Sequence, residues 1–245
     1  MKIVITGCSG GMGAEIVARF LKEDASVVGI DKSSVHNGNG ESPNFRFVYC
    51  DMANVDSLHQ TINHLLESLP SIDLIVHCAG VFYDDQAARS NETALAELWR
   101  VNYQAPVMMT EALHPLLIKG ETPSVIFIAS ADAIVASAGQ DSEVGTAHDL
   151  YYASSKGALL TATRALAMRW AKDNIRVNAI CPTIIRSPMT AELLAMSHKE
   201  EQLGGAIPLG RVGTCADVAT AVECLHKLTF TTAHALPVDG GYLCK

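Results

Sequence analysis

Tyr152 and Lys156 stand four residues apart in Tyr152-Ala153-Ser154-Ser155-Lys156, so on a helix one side chain stacks a turn above the other. The pairing suits a phenol used as an acid or base. Tyrosine ionises near pH 10, and lowering that by one unit takes about 1.4 kcal/mol. A fixed ammonium one turn away favours the phenolate and is expected to supply part of it. Taken alone the pattern is common, and a half-buried tyrosine beside a solvated lysine is its ordinary alternative.

Other chemistry-bearing residues fall at the ends of apolar runs. Thr6-Gly7-Cys8-Ser9-Gly10-Gly11-Met12-Gly13 follows the first run. Glycines there allow a tight turn, close approach of backbone to a pyrophosphate, and amides presented at a helix start. Asp31 ends the second run, where a carboxylate accepts from an adenosine ribose and repels a 2′-phosphate; this favours NAD over NADP, although Lys32 lies beside it and a turn aspartate is the alternative. Asp51, in Cys50-Asp51-Met52, either reaches an adenine edge or caps the next helix. Cys78-Ala79-Gly80 offers small residues where a flat ligand passes close to backbone, and later runs end at Ser130 and Pro182.

The elements that must hold these residues alternate. Strands are expected at 2–6, 26–30, 45–49, 74–76, 125–128, 177–180 and 235–238, and helices at 11–23, 95–118, 152–171 and 216–228, with 32–44 a surface loop. This order predicts an α/β fold: a doubly wound, Rossmann-like parallel sheet in three layers, as a single domain spanning residues 1–245. Ligands of such sheets bind beyond the carboxyl ends of the strands.

Composition narrows the classes. At 245 residues with 49% apolar and 18% charged residues, a well-buried globular domain is expected. The net charge of -8 without a basic block argues against nucleic acid or an anionic membrane as partner. No apolar run reaches bilayer length, and the start of the chain does not read as a signal peptide. Seven scattered cysteines without a Cys-x-x-Cys pair indicate neither a metal site nor a disulfide framework, which fits a reduced, cytoplasmic setting.

Over its whole length the chain resembles the short, single-domain branch of the short-chain dehydrogenase/reductase family. The resemblance rests on Thr6-Gly7-x-x-x-Gly11-x-Gly13, Asp31, Asp51, Ala79-Gly80, Asn102, Ser130, Tyr152-x-x-x-Lys156, Arg176-Val177-Asn178 and Asp239-Gly240-Gly241. It implies that Tyr152 is the general acid/base for a substrate hydroxyl or carbonyl, that Ser130 hydrogen-bonds the same oxygen, and that Lys156 binds the nicotinamide ribose. Asn102 would hold a water linking the lysine to solvent; a helix cap or satisfied core asparagine is the other reading. The cofactor set it implies is Gly7, Ser9, Gly11, Met12, Gly13, Asp31, Asp51, Met52, Ala79, Gly80, Tyr152, Lys156, Pro182, Ile185 and Ser187. Ile185 would lend backbone to the carboxamide and Ser187 a hydroxyl. No metal is implied.

The chain departs from the family pattern in four places. Cys78 replaces the usual asparagine, with His77 before it read as a packed structural residue. Pro182-Thr183 replaces Pro-Gly, and Ser187 stands where threonine is commoner. Ser130 precedes Tyr152 by 22 positions, wider than usual, which makes Ser137 and Ser142 rival serines. Ser130 is preferred because a strand end fixes a side chain better than a loop does. The segment 131–150, with Asp132, Gln140, Asp141, Glu143, His148 and Asp149, is either a substrate mouth or a solvated loop. The segment 188–208, with Met189, Leu193, Leu194, Met196 and Ile207, is either an apolar lid or a helix packed on the domain.

The expected activity is hydride transfer between NAD and a secondary alcohol or ketone, cyclic or hydroxysteroid-like in the apolar-lid reading. An NADPH-dependent ketoreductase and a catalytically silent dinucleotide-binding sensor are the alternatives. Partners are expected to be a small-molecule substrate and further copies of the chain, as a tetramer or dimer packed through helices 95–118 and 152–171.

Overall fold

Short runs rich in Val and Ile between helical stretches must be covered on both faces, which a parallel sheet between two helical layers provides. The computed structural model describes residues 1–34, 41–83, 85–135 and 149–244. β1 (Lys2–Thr6) leads into α1 (Gly11–Leu21), followed by β2 (Ser26–Asp31), β3 (Phe45–Tyr49), α2 (Val55–Ser68) and β4 (Leu74–His77). Then come α3 (Asp85–Ser90), α4 (Glu92–Trp99), a π-helical turn (Arg100–Gln104), α5 (Ala105–Ala112), α6 (His114–Leu117) and β5 (Ser124–Ile128). A 3₁₀ turn (Ala131–Ala133) precedes α7 (Leu150–Trp170), β6 (Arg176–Pro182) and β7 (Ile185–Arg186). The rest comprises α8 (Ala191–Ala195), α9 (Lys199–Gly205), β8 (Gly213–Thr214), α10 (Cys215–Lys227) and β9 (Ala235–Val238).

Seven strands form one parallel sheet in the order β3-β2-β1-β4-β5-β6-β9. The chain starts at the centre, winds out to β3, and returns to β4 on the other side of β1, so β1 and β4 flank the switch point at which ligands bind. Alternation along each strand divides the core. Ile3, Ile5, Leu74, Val76, Ile126 and Ile128 meet α1 and α10 through Ile16, Phe20, Val218 and Val222. Val4, Ile75, Val125, Phe127 and Val177 face the other layer, built of α2, α5 and α7 through Leu58, Leu65, Met109, Leu159 and Trp170. This is the expected three-layered, doubly wound fold.

The long helix expected at 95–118 is several pieces. It starts at Glu92, where the Asn91 side chain accepts from Thr93 N and Ala94 N. It loosens into a π turn at Arg100–Gln104 and breaks at Leu113, ahead of the His114-Pro115 start of α6. Pro115 cannot donate to the ladder, which accounts for that break. Two short elements escape the sequence pattern altogether: β7 and β8 pair with each other, Ile185 beside Gly213.

Candidate active site

The loop after β1 is shaped by backbone crowding. Gly7 has φ 71°, and a Cβ there would lie 2.6 Å from Ala79 N. A Cβ on Gly13 would lie 2.0 Å from Gly7 O, so α1 approaches the strand loop as only glycine permits. Gly10 caps α1 without a side-chain hydrogen bond, and no acidic residue occupies the first turn, which leaves the helix-start amides for an anion. Beyond the strand ends runs a groove. Gly7, Gly10, Gly11, Met12 and Gly13 line it from the first loop; Asp31, Lys32, Asp51 and Met52 from β2 and β3; Cys78, Ala79, Gly80 and Val81 from β4; and Ser187, Pro188 and Met189 from the segment after β7. These glycines and Asp31 make a cradle that fits a dinucleotide.

Asp31 is held ready by backbone donors: Ser9 N reaches its Oδ2 and Ser33 N its Oδ1, each at 3.0 Å. The Ser9 hydroxyl donates to Ser33 O at 2.8 Å and so braces this corner. Asp51 Oδ1 accepts from Ala53 N at 2.9 Å, while the cap of α2 is Asn54. The helix-capping alternative for Asp51 is therefore replaced by a tight-turn role. Lys32 Nζ lies 3.5 Å from Glu97 Oε1, and Glu97 also accepts from the Tyr83 hydroxyl at 2.7 Å.

On the other side of Gly80 the polar residues converge. A Cβ placed on Gly80 would lie 3.4 Å from both Lys156 Nζ and Asn102 Oδ1. Lys156 Nζ donates to Ile128 O at 2.9 Å and stands 5.7 Å from the centre of the Tyr152 ring. Burial lowers its pKa to about 8. Asn102, fully buried, accepts from Val81 N at 2.9 Å and donates to Val81 O and to Ser155 Oγ. Its side chain thus ties the π turn to the β4 loop and to α7, as a satisfied polar core residue.

Ser130 ends the extended run from β5 and caps the 3₁₀ turn, accepting from Asp132 N at 3.2 Å and donating to Asp132 Oδ2 at 3.0 Å. Tyr152 has Phe82 edge-on at 5.3 Å between ring centres. Its phenol is pushed well above the ordinary range, first by burial and then by the Asp132 carboxylate, while a hydrogen bond with Ser130 pulls the other way. The Lys156 ammonium is turned to the Ile128 carbonyl. Burial also raises the Asp132 carboxyl, against the Ser130 hydrogen bond.

Pro182 and Ile185 are buried at the end of β6 and in β7, and the Ile185 carbonyl accepts from the Thr190 hydroxyl at 2.6 Å. Ser187 lines the groove, and Pro188 Cδ would touch a Cβ on Gly11 at 2.8 Å, closing that segment onto α1. In 188–208, Met189 and Met196 are exposed while Leu203 and Ile207 pack inward. His77 is a packed residue, fully buried, stacked on Phe127 and 2.7 Å from Thr110 Oγ1. Cys78 is pushed up to about 12 by burial and stays a thiol. Ser137, Gln140, Asp141, Ser142, Glu143 and His148 lie outside the described residues. The sequence pattern did not single out Phe82, Val81 or Val101; an exposed aromatic and two valines carry no local signal of a site.

Among the described residues no cluster of His, Cys, Asp or Glu is arranged for a metal, and no helix is long and apolar enough to cross a membrane. Residues 7–243 match the family model described as enoyl-(acyl carrier protein) reductase. The chain is similar to the 2-(R)-hydroxypropyl-CoM dehydrogenase of Xanthobacter autotrophicus, 28% identical over 98% of this chain and 97% of that protein. It is 30% identical to the 3-oxoacyl-[acyl-carrier-protein] reductase of Chlamydia pneumoniae, over 98% of this chain and 96% of the relative. A short chain dehydrogenase family protein from Francisella tularensis, 22% identical, superposes with a TM-score of 0.87 over 100% of this chain and 99% of its own. Matched almost from end to end in sequence and in fold, the chain belongs to the short-chain dehydrogenase/reductase family of oxidoreductases.

Proposed function

We propose that this oxidoreductase transfers hydride between NAD and a secondary alcohol or ketone, with Tyr152 as the proton-transfer group. The observation that supports it most is the approach of Lys156 to Gly80, which lines a glycine-walled groove shared with Asp31, with the Tyr152 ring beside Lys156 and Ser130 hydrogen-bonded to Tyr152. NAD, when bound, accepts or supplies the hydride. Gly7, Gly11, Gly13 and the uncapped start of α1 hold its pyrophosphate, and Asp31 its adenosine ribose. Asp51 and Met52 flank the adenine end, and Ala79, Gly80 and Ser187 the nicotinamide end. Tyr152 takes the proton from the alcohol or returns it to the carbonyl, Ser130 fixes the reacting oxygen, and Lys156 supplies a cation that favours the phenolate. The protein acts in the cytoplasm on a small molecule, as a homo-oligomer in which exposed Met108 on α5 and Met168 on α7 are covered.

Two variants test this reading. Tyr152→Phe is expected to bind NAD and to lose turnover by roughly 10²–10⁴-fold, the range for a positioned acid/base; near-wild-type turnover would remove Tyr152 from the mechanism. Asp31→Ala is expected to shift the kcat/KM ratio strongly from NAD toward NADP. The NADPH-dependent alternative draws on Lys32, which lines the groove beside Asp31. Its ammonium already has Glu97 as a neighbour, so a wild-type preference for NADP would show that this pair opens.

A further inference from the structure

The turn after β5 folds a carboxylate back onto the serine of the site. Ser130 has one hydroxyl proton, and it goes to Asp132 Oδ2. Ser130 Oγ in turn accepts from Asp132 N. When Ser130 turns this hydroxyl toward Tyr152 and the reacting oxygen, Asp132 Oδ2 is left without its donor. The Asp132 carboxylate lies near enough to Tyr152 and Tyr242 to push both phenols up. It is only half-buried, and its Oδ1 accepts no hydrogen bond from any described residue. Beside a reacting alcohol, a hydrocarbon flank would deepen the desolvation of this carboxylate without supplying a donor.

We propose that Asp132 determines specificity by accepting a hydrogen bond from a hydroxyl or protonated amine on the carbon next to the one that is oxidised. Ser130 Oγ and Asp132 Oδ2 are hydrogen-bonded neighbours at 3.0 Å, so a substrate oxygen held at Ser130 brings the substituent on the adjacent carbon within reach of the Asp132 carboxylate. One heteroatom meets Ser130 and Tyr152; its neighbour meets Asp132. The substrate class is accordingly a vicinal diol or amino alcohol, or the matching α-substituted ketone, in place of a bare cyclic or steroid alcohol. This inference rests on the assignment of Tyr152 and Ser130 to the reacting oxygen.

The test uses the full chain with NAD or NADP and three matched alcohols: cyclohexanol, cyclohexane-1,2-diol and 2-aminocyclohexanol. The diol or the amino alcohol is expected to exceed cyclohexanol in kcat/KM by about tenfold to a hundredfold, since a site built to bond a polar group discriminates against the analogue lacking it. Asp132→Leu should collapse that ratio. Asp132→Asn, which keeps an acceptor but no charge, should retain a preference for the diol and lose one for the amine, which separates the two donors. If Asp132→Leu does not fold, the Asn variant against the amino alcohol gives the same reading through the lost charge. Equal losses on all three alcohols would mean that Asp132 acts only through Ser130, and would overturn the proposal. So would a wild-type enzyme without the preference, or without turnover of either donor-bearing alcohol. Failure of the catalytic assignment is read separately, from activity that survives Tyr152→Phe.

Discussion

Tyr152 faces opposed influences. Burial and the Asp132 carboxylate hold its proton on, while the Ser130 hydrogen bond and the positive ring of bound oxidised cofactor act to release it. Lys156 is itself near titration, because burial brings it down to about 8, so its charge is fully present only below that pH. Alcohol oxidation by a tyrosine base rises with pH as the phenolate forms. A negative charge beside the phenol moves that rise to higher pH, and removing it does the reverse. Asp132→Asn is therefore expected to shift the rising limb of the kcat/KM profile toward lower pH, on the order of one unit. A limb that stays in place would show that Asp132 is already neutral in the working enzyme. The Tyr152–Lys156 spacing drew notice in the sequence but gained weight only beside the residues at the strand ends. The electrostatics of the pair were not legible, because the direction of the Lys156 ammonium is set by the carbonyl of Ile128, 28 residues earlier in the chain.

The elements explain which parts of the site the sequence displays. Strand positions were readable because buried runs of Val and Ile have few other outcomes, and the strand ends carry Asp31, Asp51 and Ala79-Gly80 into one groove. The π turn at Arg100–Gln104 was not readable, since its residues continue a helical pattern and only the tie from Asn102 to Val81 and Ser155 marks the place. The β7–β8 pair was hidden for another reason: two residues per strand show no periodicity. Likewise the choice of Asn54 over Asp51 as cap of α2 depends on where the turn closes. Packing of α1 on the strand loop yields an expectation at this scale. Gly13→Ala places a methyl 2.0 Å from Gly7 O, a backbone atom that cannot rotate away. Helix and loop must separate, at a cost of about 1–3 kcal/mol or more. Thermal unfolding should move down and cofactor affinity should fall with it; an unchanged melting temperature with full NAD binding would show that the loop yields freely.

Across the whole molecule, one neutral histidine pins each helical layer to the sheet. His77 on β4 meets Thr110 of α5 at 2.7 Å, and His226 of α10 meets Ser124 of β5 at 2.7 Å with Phe20 of α1 edge-on. Burial holds His77 down to about 3 and His226 to about 4, so both are uncharged in the folded chain at neutral pH. Unfolded, each protonates near pH 6.5. Between that pH and the folded values the unfolded state binds more protons, so stability falls as pH falls. Each histidine then costs about 1.4 kcal/mol for every pH unit below 6.5, and the pair costs about 5 kcal/mol by pH 4.5. That loss rivals the total stability of a marginal domain, roughly 5–15 kcal/mol. The low-lying carboxylates Asp217 and Glu223 sit in exposed or half-exposed ion pairs and titrate only at lower pH, so they contribute little in this window. Urea unfolding at pH 7 and pH 4.5 should therefore show a large acid loss in the wild type. In the His77→Gln/His226→Gln double variant, whose amides keep the hydroxyl partners without taking a proton, the loss should be much smaller. Equal acid losses in the two proteins would place the sensitivity outside these two contacts.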